Sequence, residues 1–274
     1  MSSVAANALR GSRVLIPRGG PWGQRVAADL DRRGAEGVIA PLIASVPPRD
    51  VAARDRAFAA LAAGEYAWLF VTSAAAVEQL VAAGVRIPAG THVAAVGRAT
   101  ARAVADAGAE VSFVPVGTSS AAALVAQWRT GRSPATTGRC LVLRSDLATA
   151  LISDELEMRG FAVDVCIGYR TVGVDLAPAV RGDLAAGRID VVLLTSLSVG
   201  RELRRQVPEL PAATLVASIG PGTTADAVAL GYRVGYTAQT QAIDALVAEL
   251  DARARTAPAS APAAASAPDQ EDPR

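Results

Sequence analysis

Short runs of apolar residues alternate along this chain with Ala-rich stretches of about 10 to 15 residues. That alternation predicts strands followed by helices, the pattern of parallel sheets covered by helices in an α/β protein. The strand-like runs are Arg13–Pro17, Gly37–Ile43, Ala67–Thr72, His92–Val96, Val111–Val114, Arg139–Leu143, Val163–Tyr169, Asp190–Thr195, Thr214–Ile219 and Arg233–Tyr236, with the helices between them. From about Thr256 the chain turns Pro/Ala/Ser-rich and then charged. Such a segment buries too little apolar surface to offset its ordering entropy, so a disordered tail is predicted.

Laid on itself, the chain repeats. VLIPR at Val14–Arg18 matches LVLR at Leu141–Arg144, and DLDRRG ending at Gly34 matches ELEMRG ending at Gly160. LFVTS at Leu69–Ser73 matches LLTS at Leu193–Ser196, and VAAVGRATARAVADAG at Val93–Gly108 matches VASIGPGTTADAVALG at Val216–Gly231. The last pair sets Gly97 on Gly220 and Thr100 on Thr223. A duplicated α/β unit implies two similar lobes with a ligand between them, since pockets gather at domain interfaces and at the carboxyl ends of strands. One continuous sheet made from both halves is the alternative.

Composition narrows the chemistry. At 274 residues and 51% hydrophobic the chain can bury a sizeable core. A net charge of +1 and 4% aromatic residues offer neither a basic groove nor a stacking platform, so no nucleic-acid partner is expected. No apolar run reaches membrane-spanning length, and a soluble, cytoplasmic protein is expected. Cys140 and Cys166 lie in strand-like runs without metal or redox spacing and read as buried free thiols. Every basic residue is Arg, which removes Schiff-base chemistry and the P-loop lysine. The single histidine, His92, cannot form a two-His zinc site and opens a strand-like run, where a structural role is expected.

Three pairs of strand-to-helix turns are the candidate site. Thr72-Ser73 and Thr195-Ser196 place hydroxyls and free N–H groups at helix starts, which would serve as N-caps or, if opposed, as a clamp for carboxylates. Gly97-Arg98-Ala99-Thr100 and Gly220-Pro221-Gly222-Thr223-Thr224 form the second pair. Gly220 to Ala225 imitates a dinucleotide fingerprint, but the strand that follows lacks the acidic residue that would hold a ribose. Arg18 and Arg144 form the third pair, suited to a carboxylate or a surface ion pair. Tyr169, in GYRT, carries a phenol able to hand a proton to a departing hydroxyl.

The order and spacing of VLIPRGGPWG, APLI, FVTSAAAVE, VAAVGRATARAV, LVLRS, RGFAVD, GYRT, LLTSLSVGREL and SIGPGTTADAV resemble the uroporphyrinogen-III synthase family, from about Gly11 to Leu250. The resemblance implies two flavodoxin-like α/β/α domains with parallel sheets and a cleft between them. Residues 1–39 with 173–253 would form one domain and 49–165 the other, joined by linker strands at 40–48 and 166–172. It further implies a cofactor-free, metal-free lyase of haem biosynthesis that cyclises the small-molecule substrate hydroxymethylbilane with inversion of ring D. A monomer in transient contact with the upstream deaminase is expected. By position Tyr169 and Thr223 would be catalytic, and Arg18, Thr72, Ser73, Gly97, Thr100, Ser196 and Gly220 would bind substrate. The chain departs from the family pattern at Ala74-Ala75, at Leu197 and in RSDLATA at Arg144–Ala150. The last departure motivates a rival reading, a tetrapyrrole-sensing or inactive relative.

Overall fold

A computed structural model describes residues 9–130 and 138–253 of the chain, and the tail predicted from Thr256 lies outside the described residues. The first elements are β1 (Arg13–Ile16), α1 (Gly20–Arg32), β2 (Glu36–Ile39) and β3 (Ile43–Val46). They are followed by α2 (Val51–Ala62), β4 (Trp68–Val71), α3 (Ala74–Ala82), β5 (His92–Ala95), α4 (Arg98–Asp106) and α5 (Ala121–Thr130). Then come β6 (Arg139–Ser145), α6 (Leu151–Met158), β7 (Ala162–Gly173), α7 (Pro178–Ala185), β8 (Val191–Leu194) and α8 (Leu197–Gln206). β9 (Leu215–Ser218), α9 (Pro221–Ala229), β10 (Val234–Thr237) and α10 (Ile243–Ala252) complete the order.

The strands make two five-stranded sheets, β10-β9-β8-β1-β2 and β3-β7-β6-β4-β5, rather than one continuous sheet. Pairing is parallel throughout the first; in the second only β3 with β7 is antiparallel. The central strands β4 (WLFV) and β8 (VVLL) are buried at every position, because a parallel strand covered by helices on both faces has no wet side. Their alternate residues feed opposite cores. Leu69 and Val71 face α2, α3 and α4, whereas Trp68 and Phe70 join Trp128, Leu124 and Leu156 of α5 and α6. In the first sheet Leu15 faces α7 and α8 while Val14 and Ile16 face α1 and α10. Each sheet is therefore the middle layer of an α/β/α lobe; the first has the flavodoxin-like strand order, and the second is a permuted form of it with β3 added antiparallel at the edge.

The sequence repeat maps strand onto strand: β9 on β5, β8 on β4, β1 on β6 and β2 on β7. Gly34 and Gly160, which end the matched RRG and MRG runs, both adopt positive φ, 76° and 83°, just past a helix end, where a Cβ would be strained. Two predicted strands differ. Gly37–Ile43 is not one strand: β2 stops at Ile39, the chain crosses at Ala40–Leu42, and β3 joins the other sheet. Pro41 has no N–H for a ladder, and Leu42 is instead fixed by its amide on the Pro17 carbonyl and its carbonyl on the Val174 amide. Val111–Val114, the counterpart of β10, shrinks to a single bridge between Ala94 and Phe113, with Pro115 just beyond.

Candidate functional site

In the lobe built on β3-β7-β6-β4-β5, the FVTS run carries the chain off the carboxyl end of β4 into α3. Ser73 caps that helix, its Oγ accepting the Ala76 amide at 3.1 Å. Thr72 donates to the Leu143 carbonyl at 3.4 Å on β6, the neighbouring strand. The Ser73 hydroxyl also meets the Tyr169 phenol at 2.9 Å, across 96 residues of sequence. Register explains this meeting. β6 and β7 pair regularly up to Arg144 with Ile167, and then Ser145 pairs with Tyr169, leaving Gly168 as a bulge. Strict alternation would aim Cys166 and Tyr169 at opposite faces; the extra residue returns Tyr169 to the face of Cys166 and α3, where it is buried.

A cavity of about 370 Å³ opens at the same carboxyl end, between β4 and β6, where the strand order reverses. Its polar lining is hydroxyl: Thr72, Ser73, Ser119, Ser120, Ser145 and Thr149. The starts of α3, α5 and α6 border it, so it offers O–H and N–H donors without a full charge, a setting suited to carboxylates. Ser119, Ser120, Ser145 and Thr149 escaped the sequence reading. The signal for the first two was the hydroxyl pair ahead of the apolar run of α5, and Ser120 does cap α5 through the Ala123 amide at 3.1 Å.

Gly97 and Thr100 sit at the start of α4, both buried. The backbone of Gly97 is fully extended (φ −177°), so conformation does not demand glycine there. Space does: a Cβ on Gly97 would lie 2.2 Å from Ser119 Oγ and 2.4 Å from its Cβ. Arg144 folds back on its own turn, its Nη1 donating to the Ala148 carbonyl, while its buried Nε has no hydrogen-bond partner among the described residues.

The other sheet presents its predicted residues at its own carboxyl end. Arg18 follows β1 with its guanidinium 5.2 Å from the centre of the Trp22 ring, a cation–π contact. Ser196 caps α8 through the Val199 amide at 3.3 Å. Gly220 is buried and extended, and Thr223, half-buried, lies in the first turn of α9. The predicted residues thus fall into two groups, one per sheet, and among the described residues no hydrogen bond joins the groups.

His92 opens β5 at the opposite, amino end, against the Trp68 ring (centroids 5.0 Å) and 3.4 Å from Ser112 Oγ, the structural place expected of it. Cys140 and Cys166 are free and buried on opposite faces of one sheet; burial pushes their thiols up to about 11 and about 12. Among the described residues no helix is long and apolar enough to cross a membrane.

Two helix-covered sheets, each with a donor-rich turn pair at its carboxyl end, define a two-domain α/β protein whose polar carboxyl-end surfaces suit an anionic small molecule. The sequence model of uroporphyrinogen-III synthase HemD matches residues 24–248, and this chain belongs to that family. A mutant uroporphyrinogen III synthase from the extreme thermophile Thermus thermophilus shares the fold with TM-score 0.58 at 19% identity, over 87% of this chain and 97% of that one. The Helicobacter pylori 26695 uroporphyrinogen-III synthetase gives 0.55 at 15% identity, over 87% and 97%. No curated protein sequence matches significantly.

Proposed function

We propose that this chain is a uroporphyrinogen-III synthase that converts hydroxymethylbilane into uroporphyrinogen III and water, acting in the cytoplasm as a monomer that meets the upstream deaminase transiently. The observation that carries the reading is the 2.9 Å contact between the Tyr169 phenol and Ser73 at the carboxyl end of the sheet, made by the bulge at Gly168. Membership of the family supports it. With it we propose the division into domains of residues 1–39 with 173–253 and residues 49–165, joined at 40–48 and 166–172; the division is supported by the membership of the two sheets.

The chemistry asks little of a protein beyond placement. Tyr169 hands its proton to the terminal hydroxyl, the C–O bond breaks, water leaves, and an azafulvenium cation forms on ring A. Ring D attacks through its substituted carbon to give a spiro intermediate. The bond from that carbon to its original bridge then breaks, and the released cation recloses on the other α-carbon of ring D. Loss of the proton from that carbon restores the pyrrole and reprotonates the phenolate. Without orientation the bilane closes directly, so the protein's contribution is to fold the chain before the cation is captured. The hydroxyls and helix starts around Thr72, Ser73, Gly97, Thr100, Ser196 and Gly220, together with Arg18, hold the carboxylates, and the Thr223 hydroxyl acts with Tyr169 at the reacting end of the bilane.

The test is a coupled assay in which hydroxymethylbilane is generated in situ by its deaminase and the oxidised products are separated by isomer. A dominant type III product is expected, and Tyr169→Phe is expected to lower kcat by about 10²-fold with the fold unchanged. Type I alone, from a folded protein with substrate supplied, refutes the enzyme and favours the tetrapyrrole-binding relative, for which the self-occupied turn of Arg144 is the motivating feature.

A further inference from the structure

The turn before α9 is tied down by three hydroxyls that its duplicate lacks. Ser218, the last residue of β9, is fully buried, and its Oγ meets both Thr224 Oγ1 and the Gly220 carbonyl, the latter at 3.4 Å. Thr224 Oγ1 also reaches the Gly220 carbonyl at 3.2 Å and Thr237 Oγ1, at the end of β10, at 2.6 Å. One assignment uses each proton once: Thr237 donates to Thr224, Thr224 to Ser218, and Ser218 to the Gly220 carbonyl. A single chain of hydroxyls therefore joins β9, the Gly220 turn, the first turn of α9 and the end of β10.

In the register that sets Gly97 on Gly220, the counterparts of Ser218, Thr224 and Thr237 are Ala95, Ala101 and Val114. The second lobe builds the same strand, turn and helix with methyls at all three positions. Hydroxyls are thus not needed to fold such a turn, and buried hydroxyls bonded to one another stabilise it little more than methyls would. What they do supply is direction. Thr224 adjoins Thr223, and with the Thr224 side chain held against β9 and β10 by hydrogen bonds, the half-buried Thr223 next to it is set at one angle around the helix start.

We infer that Thr224, with Ser218 and Thr237, is a positioning network that aims Thr223 at the reacting bilane. The inference rests on the proposed synthase activity and deepens it. Aim matters in the cyclisation step and little in initial capture of eight carboxylates, so loss of the network lowers kcat and leaves KM nearly unchanged.

The experiment is steady-state kinetics in the coupled assay on the full chain, with the wild type, Thr224→Val, Thr224→Ser and Thr237→Val. Thr224→Val is expected to lower kcat by about tenfold with KM within about twofold, and Thr237→Val by about threefold, while Thr224→Ser, which keeps the hydroxyl, stays within about twofold of wild type. An active wild type with an unchanged kcat in Thr224→Val overturns the inference alone, as does a Thr224→Ser variant as slow as Thr224→Val, which would place the effect in methyl packing. If Thr224→Val does not fold, an unchanged kcat in folded Thr237→Val overturns it. A wild-type chain that makes no type III isomer overturns the synthase reading and this inference with it.

Discussion

The turn before α9 and the turn before α4 occupy equivalent places in the two lobes, yet they are held by different means. At Gly220 the tie is polar, through Ser218, Thr224 and Thr237, and the nearest atoms to a Cβ added there would be those of the flexible Gln241 side chain, at 3.2 Å. At Gly97 the tie is steric: the Thr118–Ser120 segment crosses so closely that Ser119 occupies the space a Cβ would need. At the amino ends of the sheets the lobes remain alike. Arg13 opens β1 beside Glu36 (3.2 Å) and Asp183 (2.8 Å), and its counterpart Arg139 opens β6 beside Glu65 and Asp164, both at 2.7 Å. Divergence is concentrated where strands hand over to helices at the carboxyl end. That is where side chains can change without disturbing a ladder, and where ligands bind in such sheets.

The cores differ too, and that difference is the one expected to respond most strongly to mutation. The β4 lobe is built on aromatic rings, with Trp68 against Trp128 edge to face (centroids 5.8 Å) and near Phe70 (5.7 Å); its counterpart on β8 is Val191. Trp68→Ala is expected to destabilise by about 3–5 kcal/mol in urea unfolding, and Val191→Ala by clearly less. Equal losses would erase the contrast between an aromatic and an aliphatic lobe.

Glycine substitution sharpens the contrast between the turns. Gly97→Ala is expected to lose about 1–3 kcal/mol, and Gly220→Ala less than about 1 kcal/mol, because the Gln241 side chain can move aside while Ser119 is fixed by its own backbone. Adding Ser119→Gly should recover much of the Gly97→Ala loss, and strict additivity in that double-mutant cycle would break the steric account.

The smallest effect is expected at the amino ends. Hydrogen bonds from the Arg13 side chain first, and from Arg188, hold the Asp183 carboxyl below the ordinary carboxylate range. A lowered folded pKa gives stability that is present above the unfolded value and is lost as pH falls through the folded one. Arg13→Gln should therefore lower Tm slightly near neutrality, and its Tm should meet that of the wild type as pH falls below about 4, so that its acid decline is shallower. A melting series showing the wild-type acid slope in that variant would leave the ion cluster without a measurable role.

Much of this was legible in the chain. The alternation of apolar runs and Ala-rich stretches marks the strands and helices, because central parallel strands must be apolar on both faces. The duplication is visible in residues such as Gly34 and Gly160, whose positive φ tolerates little else. The TS turns read correctly as helix starts, since capping is a local hydrogen bond. Three things were hidden. The crossing at Ala40–Leu42 lies inside an apolar run, so nothing local says that its two ends belong to different sheets. Ser119 matters only because a distant glycine lies beneath it. The single residue by which Gly168 shifts the register of β7 has no meaning until β6 lies alongside.

By itself, then, the sequence determined the elements, their duplication and the set of hydroxyls available at each turn, because periodicity, glycine conformation and capping are settled within a few residues. Only the tertiary structure decided which hydroxyls meet. Tyr169 reaches Ser73 through a bulge, and Thr224 reaches Ser218 and Thr237 through a helix start seated on two strands. A side chain's partner across a sheet depends on register, and register is a property of paired strands rather than of either one alone.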